Sequence, residues 1–176
     1  MAKVELRYGR GSFLVVTALL LLMTLMLIIL LSSFSAGSAM IVPAALIALA
    51  AVVIYGVVPM FTYHYIEDGT LVLRQGLFFR GRVPLSNIRE VERVERGPWR
   101  TGVLFNLRGA RLYVTTRRND LIMLKLTYRQ RFGSVFGKGV DTIIFDCVDI
   151  ERALRALSET VTPANRSLWS ADRPLV

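Results

Sequence analysis

A chain of 176 residues with 53% hydrophobic residues and a net charge of +9 has room for at most one small water-exposed domain, and its charge favours anionic partners: lipid headgroups, nucleic acid or acidic proteins. The hydrophobic excess is local, because no Asp, Glu, Lys or Arg occurs from Gly11 through Ile66, whereas the segment from Glu67 onward holds 19 basic residues against 12 acidic ones. Cys147 is the lone cysteine, which excludes an internal disulfide and a cysteine-based zinc site.

Residues 1–12 read as a short leading segment with Lys3, Arg7 and Arg10 against Glu5 alone. The apolar run 13–31, relieved only by Thr17 and Thr24, covers roughly 28 Å as a helix, close to the hydrocarbon thickness of a bilayer. A second run, 39–58, has Pro43 near its start and Pro59 at its exit. The connector 32–38 is polar and uncharged, and so short that two helices must run antiparallel. Basic residues flank the pair and none lies in the connector. The positive-inside rule therefore predicts a multi-pass protein of the cytoplasmic membrane, with both termini inside and the connector outside. A cleaved signal peptide ending near Ala36-Gly37-Ser38 is the alternative, but the first run exceeds a signal core of roughly 7–15 residues. Either topology leaves the C-terminal domain inside. Gly56 and the alanines Ala44, Ala45, Ala48, Ala50 and Ala51 suit close helix packing, within the hairpin or between copies of the chain.

After Pro59 the period changes from helical to alternating. Phe61, Tyr63 and Tyr65, then Asp68-Gly69, then Leu71 and Leu73 predict a β-hairpin. Residues 77–83 predict a third strand, ended near Pro84, and Ser86-Asn87-Ile88 a short turn. Residues 90–96 alternate charge around Val91 and Val94 and predict an exposed or edge strand. Strands follow at 103–107, 112–116, 121–126 and 141–147, with a basic glycine-containing loop at 129–139. Asp149 is placed to cap a helix in which Ile150, Ala153, Leu154 and Leu157 recur at helical spacing, stopped by Pro163. The expected domain is 61–162, an antiparallel barrel or sandwich of about six to seven strands capped by a C-terminal helix, with a polar, mobile tail at 163–176.

The stretch Tyr65-Ile66-Glu67-Asp68-Gly69 through Leu77-Phe78-Phe79-Arg80, followed by Val83-Pro84-Leu85-Ser86-Asn87-Ile88 and Val91, resembles the bacterial pleckstrin-homology-like membrane proteins, in which two transmembrane helices precede the domain. The resemblance covers about thirty residues, Tyr65 to Val94, and does not extend over Arg100 to Gly139. It implies a pleckstrin-like barrel plugged by its C-terminal helix. It implies no activity, since such barrels bind lipids, peptides and proteins.

The chain holds no GxSxG, no HExxH and no Cys/His metal cluster, and neither catalysis nor a cofactor is expected. Gly133 to Gly139 is one residue short of a phosphate-binding loop and lacks its hydroxyl residue. Asn165-Arg166-Ser167 matches a glycosylation sequon that a cytoplasmic tail would leave silent. His64 is expected as an interfacial or packed residue, and Cys147 as a buried strand residue. Two surfaces carry functional expectations. Arg74, Arg80 and Arg82 flank Leu77, Phe78 and Phe79 at a hairpin, where arginines could attract anionic phospholipid while an aromatic tip inserts; a core phenylalanine with solvated arginines is the alternative. The edge carrying Glu90, Glu92, Arg93, Glu95 and Arg96 could add a strand from a protein partner or a second copy. Charge alone admits nucleic acid, but basic and aromatic residues form no RNA or DNA motif. The leading expectation is protein interaction or self-assembly at the inner membrane face, with anionic-lipid recognition as the alternative.

Overall fold

The computed structural model describes residues 3–33, 38–106, 109–133 and 137–159. The chain divides into a helical unit, Arg10–Thr62, and a β unit made of the first nine residues and everything from Tyr63 onward.

In the helical unit, α1 spans Gly11–Ser33 and α2 spans Ser38–Ala51, followed by a π-helical stretch Val52–Val57 and a last turn α3, Val58–Met60. The two continuous helices, Gly11–Ser33 and Ala39–Met60, are 23 and 22 residues long and apolar enough to cross a membrane. No residue of α1 is buried within the chain. Two of its hydroxyls are satisfied internally: Thr17 and Thr24 donate to the carbonyls of Phe13 and Leu20 at 2.7 and 2.8 Å, which lowers the cost of placing them in an apolar medium. Gly56 lies in the π-helical stretch, and a Cβ there would stand 2.4 Å from Thr17 Oγ1, so α1 packs closely on this segment. The small-residue surface is thus used, at Gly56, inside the helix pair. Periodicity did not foretell the π-helical stretch. Both helices also run further into the expected 32–38 connector, whose residues 34–37 lie outside the described residues.

In the β unit, the first sheet has the order β1-β2-β3-β4, entirely antiparallel: Val4–Leu6, His64–Glu67, Thr70–Gln75 and Phe79–Pro84. Asp68 and Gly69 both have positive φ, 46° and 69°, the signature of a type I′ turn that the Asp-Gly pair encodes. The turn sets the register Tyr65↔Val72, which directs Ile66, Leu71 and Leu73 into the core. The strand β1 was not expected. Residues 4–6 belong to the domain rather than to a separate leading segment, with Val4 opposite Ile66 and Leu6 opposite His64.

The second sheet has the order β5-β8-β9-β7-β6: Ile88–Arg96, Gly102–Asn106 (β6), Arg111–Thr115 (β7), Asn119–Arg131 (β8) and Gly139–Asp146 (β9). The expected edge strand is β5, at the margin of this sheet. Two expectations are corrected. The described residues hold nine strands, not six to seven, and β7 pairs with β9 in parallel. The parallel pair arises because β9 inserts between β8 and β7, both of which it must neighbour. The buried carboxylate of Asp146, the last residue of β9, accepts the N–H of Thr116 at 2.8 Å and also its hydroxyl, pinning the β7–β8 connection across the end of the inserted strand. The predicted loop 129–139 is shorter at both ends, since β8 continues to Arg131 and β9 begins at Gly139; two-residue alternation weakens there and β8 pairs irregularly.

A helix over 150–159 (α4) closes the core. Asp149 Oδ1 accepts the N–H of Arg152 at 3.1 Å, the expected cap, and Ile150, Ala153 and Leu157 are buried. One apolar cluster joins both sheets and α4, with Leu6, Leu73, Phe79, Leu124, Phe145 and Leu157 among its members. The expected tail 163–176 lies outside the described residues.

Candidate functional site

The β3–β4 hairpin brings together the predicted arginines. Along β4 burial alternates strictly: Phe79, Gly81 and Val83 face inward, Arg80 and Arg82 outward. The register sets Arg74 directly opposite Arg80 and Val72 opposite Arg82. Two like charges in a cross-strand pair repel, a cost that an anion between them would remove. No carboxylate among the described residues is paired with Arg74, Arg80 or Arg82. The hairpin turns at Gly76, φ 62°, and carries Leu77 and Phe78 at its tip, 59% and 64% exposed. Phe79, also expected at the tip, is instead 2% exposed, its ring 6.5 Å from that of Phe132. Strand alternation decides this: Phe79 and Arg80 must point to opposite faces.

The place of this hairpin in the sheet follows from β1 and β2. Leu6 is opposite His64, so residues 7–10, which lead to α1, and residues 61–63, which lead from α3, leave the same end of the sheet. His64 Nδ1 accepts the N–H of Arg74 at 3.0 Å, so β3 reaches that end and its turn with β4 continues beyond it. The Leu77-Phe78 tip therefore lies beyond the end of the sheet that carries Leu6 and His64.

His64 is a packed residue, 1% exposed, between the rings of Tyr8 at 5.0 Å and Phe145 at 5.5 Å. Desolvation pushes its pKa down to about 3, so the ring is neutral. Since Nδ1 accepts, the proton sits on Nε2, which has no partner among the described residues. Cys147 is 1% exposed and burial raises its thiol pKa. Both residues are built into the core.

The second candidate surface, β5, is laced into its own domain. Lys125 Nζ meets Glu90 at 3.0 Å and Glu92 at 3.1 Å, while Arg93 meets Asp120 at 2.8 Å and Glu151 at 3.2 Å. The hydrogen bond from Arg93 holds the Asp120 carboxyl below its usual range. Glu95 and Arg96 are exposed. An open groove of about 540 Å³ between β1 and the start of α4 is lined by Lys3, Glu5, Arg7, Asp149 and Arg152 among others, with Arg7 paired to Glu5 at 3.0 Å. Sequence reasoning missed Trp99, which is 76% exposed in the loop between β5 and β6; the breaker Gly97-Pro98 just before it was the available signal.

No family model matches this chain, and no curated protein or solved structure matches it either.

Proposed function

We propose that this chain is a non-catalytic module of the cytoplasmic membrane, anchored by its helix pair, whose β3–β4 hairpin engages anionic phospholipid headgroups on the inner face. One observation carries the reading: three exposed arginines and the exposed Leu77-Phe78 tip lie on one hairpin, at the end of the sheet from which the chain passes into both apolar helices. An arginine near an anionic surface contributes about 1 kcal/mol, so the three together contribute on the order of 3 kcal/mol at low salt. Both helix roots belong to one β unit, which fits an even number of spans and a shared side for the two termini. The basic balance from Glu67 onward supports the cytoplasmic side. Two packed sheets closed by a C-terminal helix suit the pleckstrin-like resemblance, although the nine strands and the parallel β7–β9 pair depart from a simple antiparallel barrel.

The test is hydrogen exchange of the full-length protein in nanodiscs of phosphatidylcholine alone or with phosphatidylglycerol. The amides of Gly76 to Phe79 exchange more slowly in the anionic discs, and replacing Arg74, Arg80 and Arg82 with glutamine abolishes the difference. Equal exchange in both lipids overturns the reading.

A second reading, strand addition by a protein partner or a second copy, is supported by the edge position of β5. Crosslinking in native membranes tests it: a reproducible partner that disappears when β5 is altered supports it, and recovery of the protein without one opposes it.

A further inference from the structure

We propose that the loop between β5 and β6 is a second, separate membrane seat, in which Trp99 lies in the headgroup region of the bilayer and Arg96, Arg100 and Arg118 surround it with positive charge. The proposal shares with the preceding section only the premise that the helix pair crosses a bilayer; it does not depend on the hairpin.

Four contacts place the loop. Gly9, the last residue of the β unit before the helical unit, lies beside Thr116: a Cβ at Gly9 would stand 3.8 Å from Thr116 Oγ1. Thr116 is held by Asp146 and begins the turn that contains Arg118. The carbonyl of Arg118 accepts the N–H of Gly97 at 2.6 Å. The guanidinium of Arg118 stacks on the Trp99 indole, 4.7 Å from the ring centroid. The indole is thus tied, through one turn, to Gly9, two positions before the first residue of α1.

The loop is also held in place. A Cβ at Gly97 would fall 2.2 Å from Leu121 Cδ1 and 3.2 Å from the Arg118 carbonyl, so a larger residue there would force Leu121 or the Arg118 turn to shift. That close approach positions Trp99 and leaves it 76% exposed. Arg96, Arg100 and Arg118 are exposed around it, and no carboxylate among the described residues is paired with them. An indole has a large apolar body and one N–H donor, which suits the boundary between acyl chains and headgroups, and guanidinium groups suit the phosphates there. The continuity of chain from Gly9 to Gly11, where α1 begins, selects the membrane that α1 enters as the occupant.

The experiment uses the full-length protein with Trp169→Phe, which leaves Trp99 as the only tryptophan. It is reconstituted in vesicles of phosphatidylcholine and phosphatidylglycerol, with or without lipids brominated high on the acyl chain. Blue-shifted emission, loss of most intensity to the brominated lipid and little quenching by aqueous iodide are expected. Emission typical of water, quenched by iodide and indifferent to bromolipid, overturns the proposal, as does shielding from both quenchers, which means that protein covers the ring. A companion protein with Phe78→Trp, Trp99→Phe and Trp169→Phe reports on the hairpin alone. Quenching at position 78 without quenching at Trp99 sinks this inference and leaves the hairpin reading standing; the converse result does the opposite.

Discussion

The ring nitrogen Nδ1 of His64 accepts the backbone N–H of Arg74 at 3.0 Å, joining the first strand after the second apolar helix to the strand that carries the arginine hairpin. A buried imidazole thus supplies an acceptor at the sheet end from which both helix connections depart. The bond requires the neutral ring.

The pH dependence follows. The His64 pKa falls from 6.5 in the unfolded chain to about 3 in the folded one, so below pH 6.5 the unfolded state binds the proton that the folded state refuses. The stabilisation is complete above pH 6.5 and is lost as pH falls towards 3, by about 2 kcal/mol at pH 5. Burial of Asp146 raises its pKa and acts the other way, so the useful quantity is a difference between variants. His64→Gln should flatten the pH profile of the denaturant midpoint of the detergent-solubilised protein between pH 6.5 and 3. An unchanged slope would show that His64 is not the source.

Adjacent phenylalanines should behave oppositely. Phe79→Ala opens the core and should cost about 3–5 kcal/mol. Phe78→Ala removes an exposed ring and should alter stability by less than about 0.5 kcal/mol, while weakening the exchange protection of the hairpin in anionic nanodiscs. Denaturant midpoints of the two variants check the pair; similar losses would mean that the hairpin register is wrong.

The N-terminal strand should be structural. Leu6 is 1% exposed and lies opposite His64, so Leu6→Ala should cost about 2–5 kcal/mol and speed amide exchange along β2. Exchange rates like those of the unaltered protein would detach β1 from the domain.

Close packing of the helix pair is equally testable. Gly56→Leu drives a side chain into Thr17 and should cost about 1–3 kcal/mol through overpacking. Thr17→Gly should restore part of that loss in a thermal melt of the detergent-solubilised protein. Absence of any rescue would place the Gly56 contact elsewhere.

Removing the α4 cap should cost little but act locally. Asp149→Ala deprives the Arg152 N–H of its acceptor and should cost about 1 kcal/mol, read as faster exchange in the first turn of α4 while the β-sheet amides are unchanged.

Local chemistry alone determined the elements whose cause is local. Uncharged apolar runs are long enough to be helices of membrane-crossing length, Asp68-Gly69 selects its turn because both residues tolerate positive φ, and Asp149 caps α4 because its carboxylate reaches an N–H three residues on. Alternation also put Arg74, Arg80 and Arg82 on one hairpin. Tertiary structure decided what depends on pairings distant in sequence. Residues 4–6 are too few to show a strand period, and become β1 because β2 offers an edge some sixty positions away. The insertion of β9 between β7 and β8 rests on backbone pairing with both strands, its end held by Asp146 reaching Thr116, a contact no periodicity announces. Whether Phe78 or Phe79 entered the core depended on the register with β3, and the exposure of Trp99 depended on Gly97 fitting against Leu121. Short-range patterns specify backbone conformation; which faces stay exposed is specified only once the sheets have packed.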